Sequence, residues 1–275
     1  MDHRIVNEPT KFFKNAAKLE LKGRWLEAGV AFGIYVVMIG IVSFIASNIG
    51  ISFLEGISAI YYWIIYGPAC IGLYAYFMRL ARRQNPNLRD CFEGFEGFGR
   101  SLVLGLLMIV KIFLWTLLFV IPGIIAAYRY SMAPLLMRDH PDWGATQCIN
   151  ESKRLMVGNK GSLFTLDLSF IGWLILSILP ALIVSSAYGA VSGAESAAFS
   201  FPISLVLLIF EIPVVFVGAY MTTARVVFYE ELNRPVEVYT AGRGFHPYND
   251  SGSYGAYDPN GFSGDFVGDD LFDDM

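Results

Sequence analysis

Apolar residues collect into five long runs along the chain, at about 26–48, 57–78, 101–137, 162–184 and 199–222, and the charged residues gather between them. Crossing the hydrocarbon of a bilayer takes about 20 helical residues, so four of these runs have the length of a single span. The run 101–137 is too long for one ordinary span and just long enough for two. The basic residues decide between five and six crossings. Arg4, Lys11, Lys14, Lys18, Lys22 and Arg24 precede the first run, Arg79, Arg82, Arg83, Arg89 and Arg100 follow the second, and Arg138, Lys153, Arg154 and Lys160 precede the fourth. The segments 49–56 and 185–198 contribute only Glu55 and Glu195. Cationic loops stay on the cytoplasmic side, which requires an even number of crossings between residues 100 and 138. The pattern therefore predicts six spans, 26–48, 57–78, 101–121, 122–138, 162–184 and 199–222, with both termini inside. Pro122-Gly123 is the expected external turn between the third and fourth. The fourth covers only about 25 Å at 1.5 Å per residue, and a re-entrant segment is the other reading of it.

Between the spans the pattern becomes helical and two-faced. In TKFFKNAAKLELK (10–22), Lys11, Lys14, Lys18 and Lys22 share one face and Phe13, Ala16 and Ala17 lie largely on another. This is the arrangement of a helix lying on anionic lipid. Residues 143–157 repeat it with Ala145, Cys148, Ile149, Leu155 and Met156 on one stripe, and CFEGFEGFG (91–99) spaces its phenylalanines by three. The strings PACIGLYAYFMR (68–79) and PGIIAAYRYSMA (122–133) also align without a gap. Together these features suggest three units, each a surface helix followed by a membrane hairpin. Chance likeness between tyrosine-rich interfacial segments accounts for the alignment equally well.

Composition agrees with a membrane location. Of 275 residues, 55% are hydrophobic and 16% charged, and the mean hydropathy is +0.50. A soluble domain carries about a quarter charged residues. The first 25 residues (1–25) lack the short apolar core and cleavage site of a secretory signal, so the amino terminus is expected to be retained. The net charge of −4 conceals an asymmetry, because 233–275 carries Arg234 and Arg243 against eight acids while the rest of the chain is slightly basic. That tail is rich in Gly, Asp, Tyr and Asn, has no apolar period, and reads as disordered. Its aromatics offer attachment points for a protein partner, as do the amphipathic segments; a solvated tail without a partner fits as well.

Candidate chemistry is sparse. Cys70, Cys91 and Cys148 have no metal-ligand spacing, and His3, His140 and His246 are far apart, so no metal or cofactor is expected. Neither a nucleotide loop nor a hydrolase motif is present, and nothing points to nucleic acid. Within the membrane domain 26–232, four charges fall well inside the predicted spans: Lys111, Arg129, Asp167 and Glu211. Each costs about 2.5–3.5 kcal/mol unpaired at a helix centre. Pairing Arg129 with Asp167 and Lys111 with Glu211 matches their depths, with Arg129 to Glu211 as the other option. Such pairs either hold a bundle together or line a polar pathway.

Several strings carry a resemblance. LKGRW (21–25), FEGFGRSL (95–102), FLWTLLFVIPGIIAAYRYSMAPLLMRD (113–139), ESKRLMVGNKG (151–161) and ARVVFYEEL (224–232) resemble a family of uncharacterised bacterial integral membrane proteins, domain of unknown function nine-seven-five (DUF975), over about residues 10–232. The resemblance implies a bacterial plasma membrane location and no particular activity. The expectation is an all-α polytopic protein that is no enzyme, acting as a membrane scaffold or accessory subunit. The alternative is a small transporter or channel lined by the four intramembrane charges.

Overall fold

The computed structural model describes residues 5–49, 52–192 and 197–233, with side chains described except at 47–49, 52–55, 185, 187–192 and 197–211. The predicted tail lies outside these residues. Among the described residues every regular element is helical. They are α1 (Thr10–Leu21), α2 (Trp25–Ile49), α3 (Ser52–Ala81), a 3-10 turn (Leu88–Phe92) running into α4 (Glu93–Glu96), α5 (Phe98–Leu118), α6 (Val120–Tyr130), α7 (Ala133–Asp139), α8 (Ala145–Leu155), α9 (Lys160–Ser192) and α10 (Ala197–Leu232). Among the described residues, six stretches are long and apolar enough to cross a membrane: Trp25–Ala46, Gly56–Ala81, Phe98–Leu118, Val120–Asp139, Lys160–Val184 and Ile212–Leu232.

Helix α2 packs on α3, α5 on α6 and α9 on α10, while α3 also touches α5, α7 and α10, and α10 also touches α1 and α2. Burial is distributed unevenly along these helices. Residues 56–64 of α3 are mostly exposed, whereas every residue from Gly67 to Met78 is buried. In α10, Ile212 and Pro213 are exposed and Val226 to Tyr229 are buried. The core thus sits at one end of the bundle, where Phe13 of α1, Tyr76 and Phe77 of α3, Met156 after α8, and Phe228 and Tyr229 of α10 pack together. At the other end Val37, Leu117, Trp173 and Ile183 present apolar side chains outward. Hydrocarbon solvates such side chains as well as protein does, so nothing there drives them inward.

Where helices must close tightly, the sequence supplies glycine. A Cβ on Gly67 of α3 would stand 2.1 Å from the carbonyl oxygen of Ser101, and one on Gly105 of α5 would stand 2.7 Å from the Gly67 Cα. Both atoms belong to backbone, so neither contact relaxes by a rotamer change; this is a small-residue crossing of the kind that lets membrane helices approach.

The reversal between α5 and α6 differs from the expectation. Phe119, with an extended backbone at φ −160 and ψ 152, carries it. Pro122 and Gly123 instead lie in the first turn of α6. A proline is tolerated there because the first N–H groups of a helix have no partner within it. Gly123 is buried against Thr116, whose Oγ would lie 2.2 Å from an added Cβ. The Pro-Gly pair thus closes the helix pair instead of turning it. The expected fourth span is also broken, since α6 ends at Tyr130 and α7 begins at Ala133. Ser152 of α8 bridges the break, donating to the Arg129 carbonyl at 3.0 Å and accepting from the Met132 N–H at 3.2 Å.

Replacing Gly67 by Leu should destabilise the protein by at least about 1–3 kcal/mol, the usual penalty of overpacking. A lowered melting temperature of the detergent-purified protein, with Gly99→Leu on the open side of α5 as control, checks this; equal melting of the two variants would contradict it.

A buried polar centre among four helices

Asp167 lies seven residues after the start of α9 and Arg225 seven before the end of α10. The neighbouring Phe170–Tyr220 ring contact, 5.0 Å between centroids, runs in the same antiparallel sense. The two helices therefore bring the charged pair to one level. Arg225 Nε donates to Asp167 Oδ1 at 2.9 Å and Nη2 donates to Oδ2 at 2.7 Å. This two-pronged geometry matches the planar guanidinium to the carboxylate and is the strong form of such a pair. The Asp167 side chain is 7% exposed and that of Arg225 30%. Tyr74 of α3 places its hydroxyl beside the Arg225 guanidinium, and Tyr128 of α6 places its own beside the Asp167 carboxylate. Four helices thus meet at one ion pair. The hydroxyls of Thr222 and Thr223 on α10 are satisfied within the helix by the carbonyls of Gly218 and Ala219.

A second set of charges ties the helix ends next to the core. Arg82, just past α3, makes a two-pronged contact with Asp139 of α7 at 2.7 and 2.8 Å and donates to Glu230 of α10 at 2.8 Å. Tyr229 donates to the same Asp139 at 2.8 Å. Arg79 pairs with Asp90, and Glu93 of α4 accepts from Arg79 and from Arg138 of α7. Three helix C-termini converge here, where cations are favoured by the aligned peptide dipoles.

The expected Arg129–Asp167 pair is corrected by this geometry, since Asp167 is held by Arg225 and Arg129 is exposed. Lys111 is half-buried; the Glu211 side chain, its expected partner, lies outside the described ones. On α1, Lys11 and Lys18 are exposed, as is Lys22 just beyond it, whereas Lys14 is half-buried with its Nζ 5.1 Å from the centroid of the Phe170 ring. Beside it, Trp25, Phe170, Trp173, Phe216, Val217 and Tyr220 line an apolar cleft of about 210 Å³. No cluster of metal-ligating side chains occurs among the described residues.

The sixth predicted span stops at 222, three residues short of Arg225, so the arginine does not count among the intramembrane charges read from the sequence. Counting inward by equal steps from Lys160 and Leu232 is the signal that finds it. Tyr74 and Tyr128 occupy matching positions of the aligned strings 68–79 and 122–133.

Described elements that are all helical, six membrane-length stretches and a largely buried ion pair make up the architecture of a multi-pass membrane protein. The chain belongs to the family described as protein of unknown function (DUF975), whose model matches residues 8–126 and 116–235. No curated protein and no solved structure matches it.

Removing one partner of a buried ion pair strands the other, at about 3–5 kcal/mol, while replacing both with apolar groups is often tolerated. Asp167→Leu and Arg225→Met should each lower the monodisperse yield and melting temperature. The double variant should recover a large part of the loss, and strictly additive losses would contradict the pairing. A further expectation concerns thiols. Burial, with Asp90 next to it, pushes the Cys91 thiol up to about 11, and burial also raises that of Cys148. The thiolate is the reactive form, so at pH 7.5 both should resist iodoacetamide until the protein is unfolded; mass spectrometry of the alkylated peptides reads this directly.

Proposed function

We propose that the protein is a non-enzymatic scaffold, or an accessory subunit of a larger complex, in a bacterial plasma membrane. In this reading the six stretches form three hairpins that start in the cytoplasm, and both termini are cytoplasmic. Helix α1 rests on anionic lipid through Lys11, Lys18 and Lys22, and the acidic tail 233–275 offers a protein partner its aromatics. The observation that carries the reading is the closure of the polar centre. Asp167 and Arg225 engage each other in a two-pronged contact, with the Tyr74 and Tyr128 hydroxyls beside the pair. The charges spent this way hold helices together, and the Asp167 carboxylate is engaged by a cation instead of standing free to hand on an ion or a proton. The transporter alternative is weakened by the loss of the Arg129–Asp167 pair, since Asp167 is held by Arg225 and Arg129 is exposed.

Photo-crosslinking from α1, α8 and the tail, in right-side-out and in inverted vesicles carrying an impermeant quencher, tests this reading. A specific protein adduct, quenched only in inverted vesicles, is expected, and it should weaken when 235–275 is deleted. Absence of any specific adduct counts against the scaffold; quenching in right-side-out vesicles counts against the orientation.

A further inference from the structure

Lys111, Arg129 and Lys153 belong to none of the ion pairs described above. Lys111 of α5 and Arg129 of α6 both lie within electrostatic reach of the Lys153 ammonium on α8. Burial pushes that ammonium below its ordinary value, and the charges of Lys111 and Arg129 push the same way. Its Nζ sits 5.9 Å from the centroid of the Tyr130 ring and donates to Asn150 at 3.1 Å, neither of which supplies a negative charge. Glu151, the acid on the same helix, is committed to Arg154 at 2.9 Å. Among the described residues no carboxylate pairs with Lys111, Arg129 or Lys153.

Like charges gathered at the flank of two membrane-length helices repel one another, and each loses hydration. An external anion relieves both. The surroundings say which kind of anion. Leu114 follows Lys111 by three residues and Ile125 precedes Arg129 by four, so each shares a helix face with its cation; both are exposed, as is Val157 beyond α8. The cluster is therefore basic at its centre and apolar at its margin, which matches a phosphate carried on acyl chains and not a free ion. Helix α8 packs on both α5 and α6, and the Ser152 bridge to the Arg129 carbonyl and the Met132 N–H holds the neighbouring Lys153 at the α6–α7 break, so the fold gathers the cluster.

We propose that Lys111, Arg129 and Lys153 form a binding site for the phosphate of an anionic phospholipid. The site rests on the membrane reading above but not on the scaffold role.

Native mass spectrometry of the full chain in mild detergent, titrated separately with phosphatidylglycerol, phosphatidylcholine and inorganic phosphate, tests it. The wild type should retain phosphatidylglycerol in preference to phosphatidylcholine. Lys111→Gln with Arg129→Gln and Lys153→Gln should weaken that retention by roughly a hundredfold. Arg89→Gln, at an exposed arginine of the 3-10 turn, should leave it within a factor of a few. Lys153→Gln alone, on the short α8, should weaken it roughly tenfold and carries the test where the triple variant does not purify as a monodisperse species. Equal retention by wild type and Lys153→Gln, equal binding of the two lipids, or saturation by inorganic phosphate without lipid preference would each overturn the site. A failed partner crosslink with intact lipid selectivity would remove the scaffold and leave the site standing.

Discussion

The contact between Asp167 and Arg225 is the point about which the helices are arranged. A carboxylate this far inside an apolar bundle is tolerated only when a cation meets it with good geometry and further donors complete it. Arg225 supplies the cation from α10, and Tyr74 and Tyr128 reach the pair from α3 and α6. Because the demand is directional, it fixes the depth of α9 against α10 and brings two other helices to the same level. Apolar packing in lipid has no such directionality, and shape complementarity alone leaves sliding motions cheap.

The remaining close contacts follow the same division of labour. Glycine at 67 and 105 sets how near α3 and α5 approach, and Arg82 ties the ends of α3, α7 and α10. Ser152 repairs the backbone where α6 gives way to α7. In each case a polar or vanishingly small group does what an apolar side chain cannot do in hydrocarbon, which is to specify one position and exclude its neighbours.

Much of this architecture was legible along the chain, because unbroken apolar length survives any detail of packing. The all-helical class and six membrane-length stretches follow from that length. What escaped was register. Pro122-Gly123 reads as a turn by local chemistry, yet proline is equally at home in the first turn of a helix, and only the packing of Gly123 on Thr116 separates the two. Arg129 had a plausible depth and a plausible partner, but depth does not say which way a side chain faces. Arg225 was lost for a related reason: hydropathy fades before α10 ends, and the helix carries on to Leu232.

The uneven burial of α3 and α10 gives the molecule a mechanical polarity. Residues 67–78 of α3 and 226–229 of α10, near the basic loops, are buried, while residues 56–64 of α3 are mostly exposed, as are Ile212 and Pro213 of α10. A rod clamped at one end turns a small rotation at the clamp into a large sweep at the tip. The ion pairs around Arg82 sit at that clamp. These pairs join the ends of three helices at the buried end of the bundle, so the same few side chains set the spacing from which α3, α7 and α10 diverge.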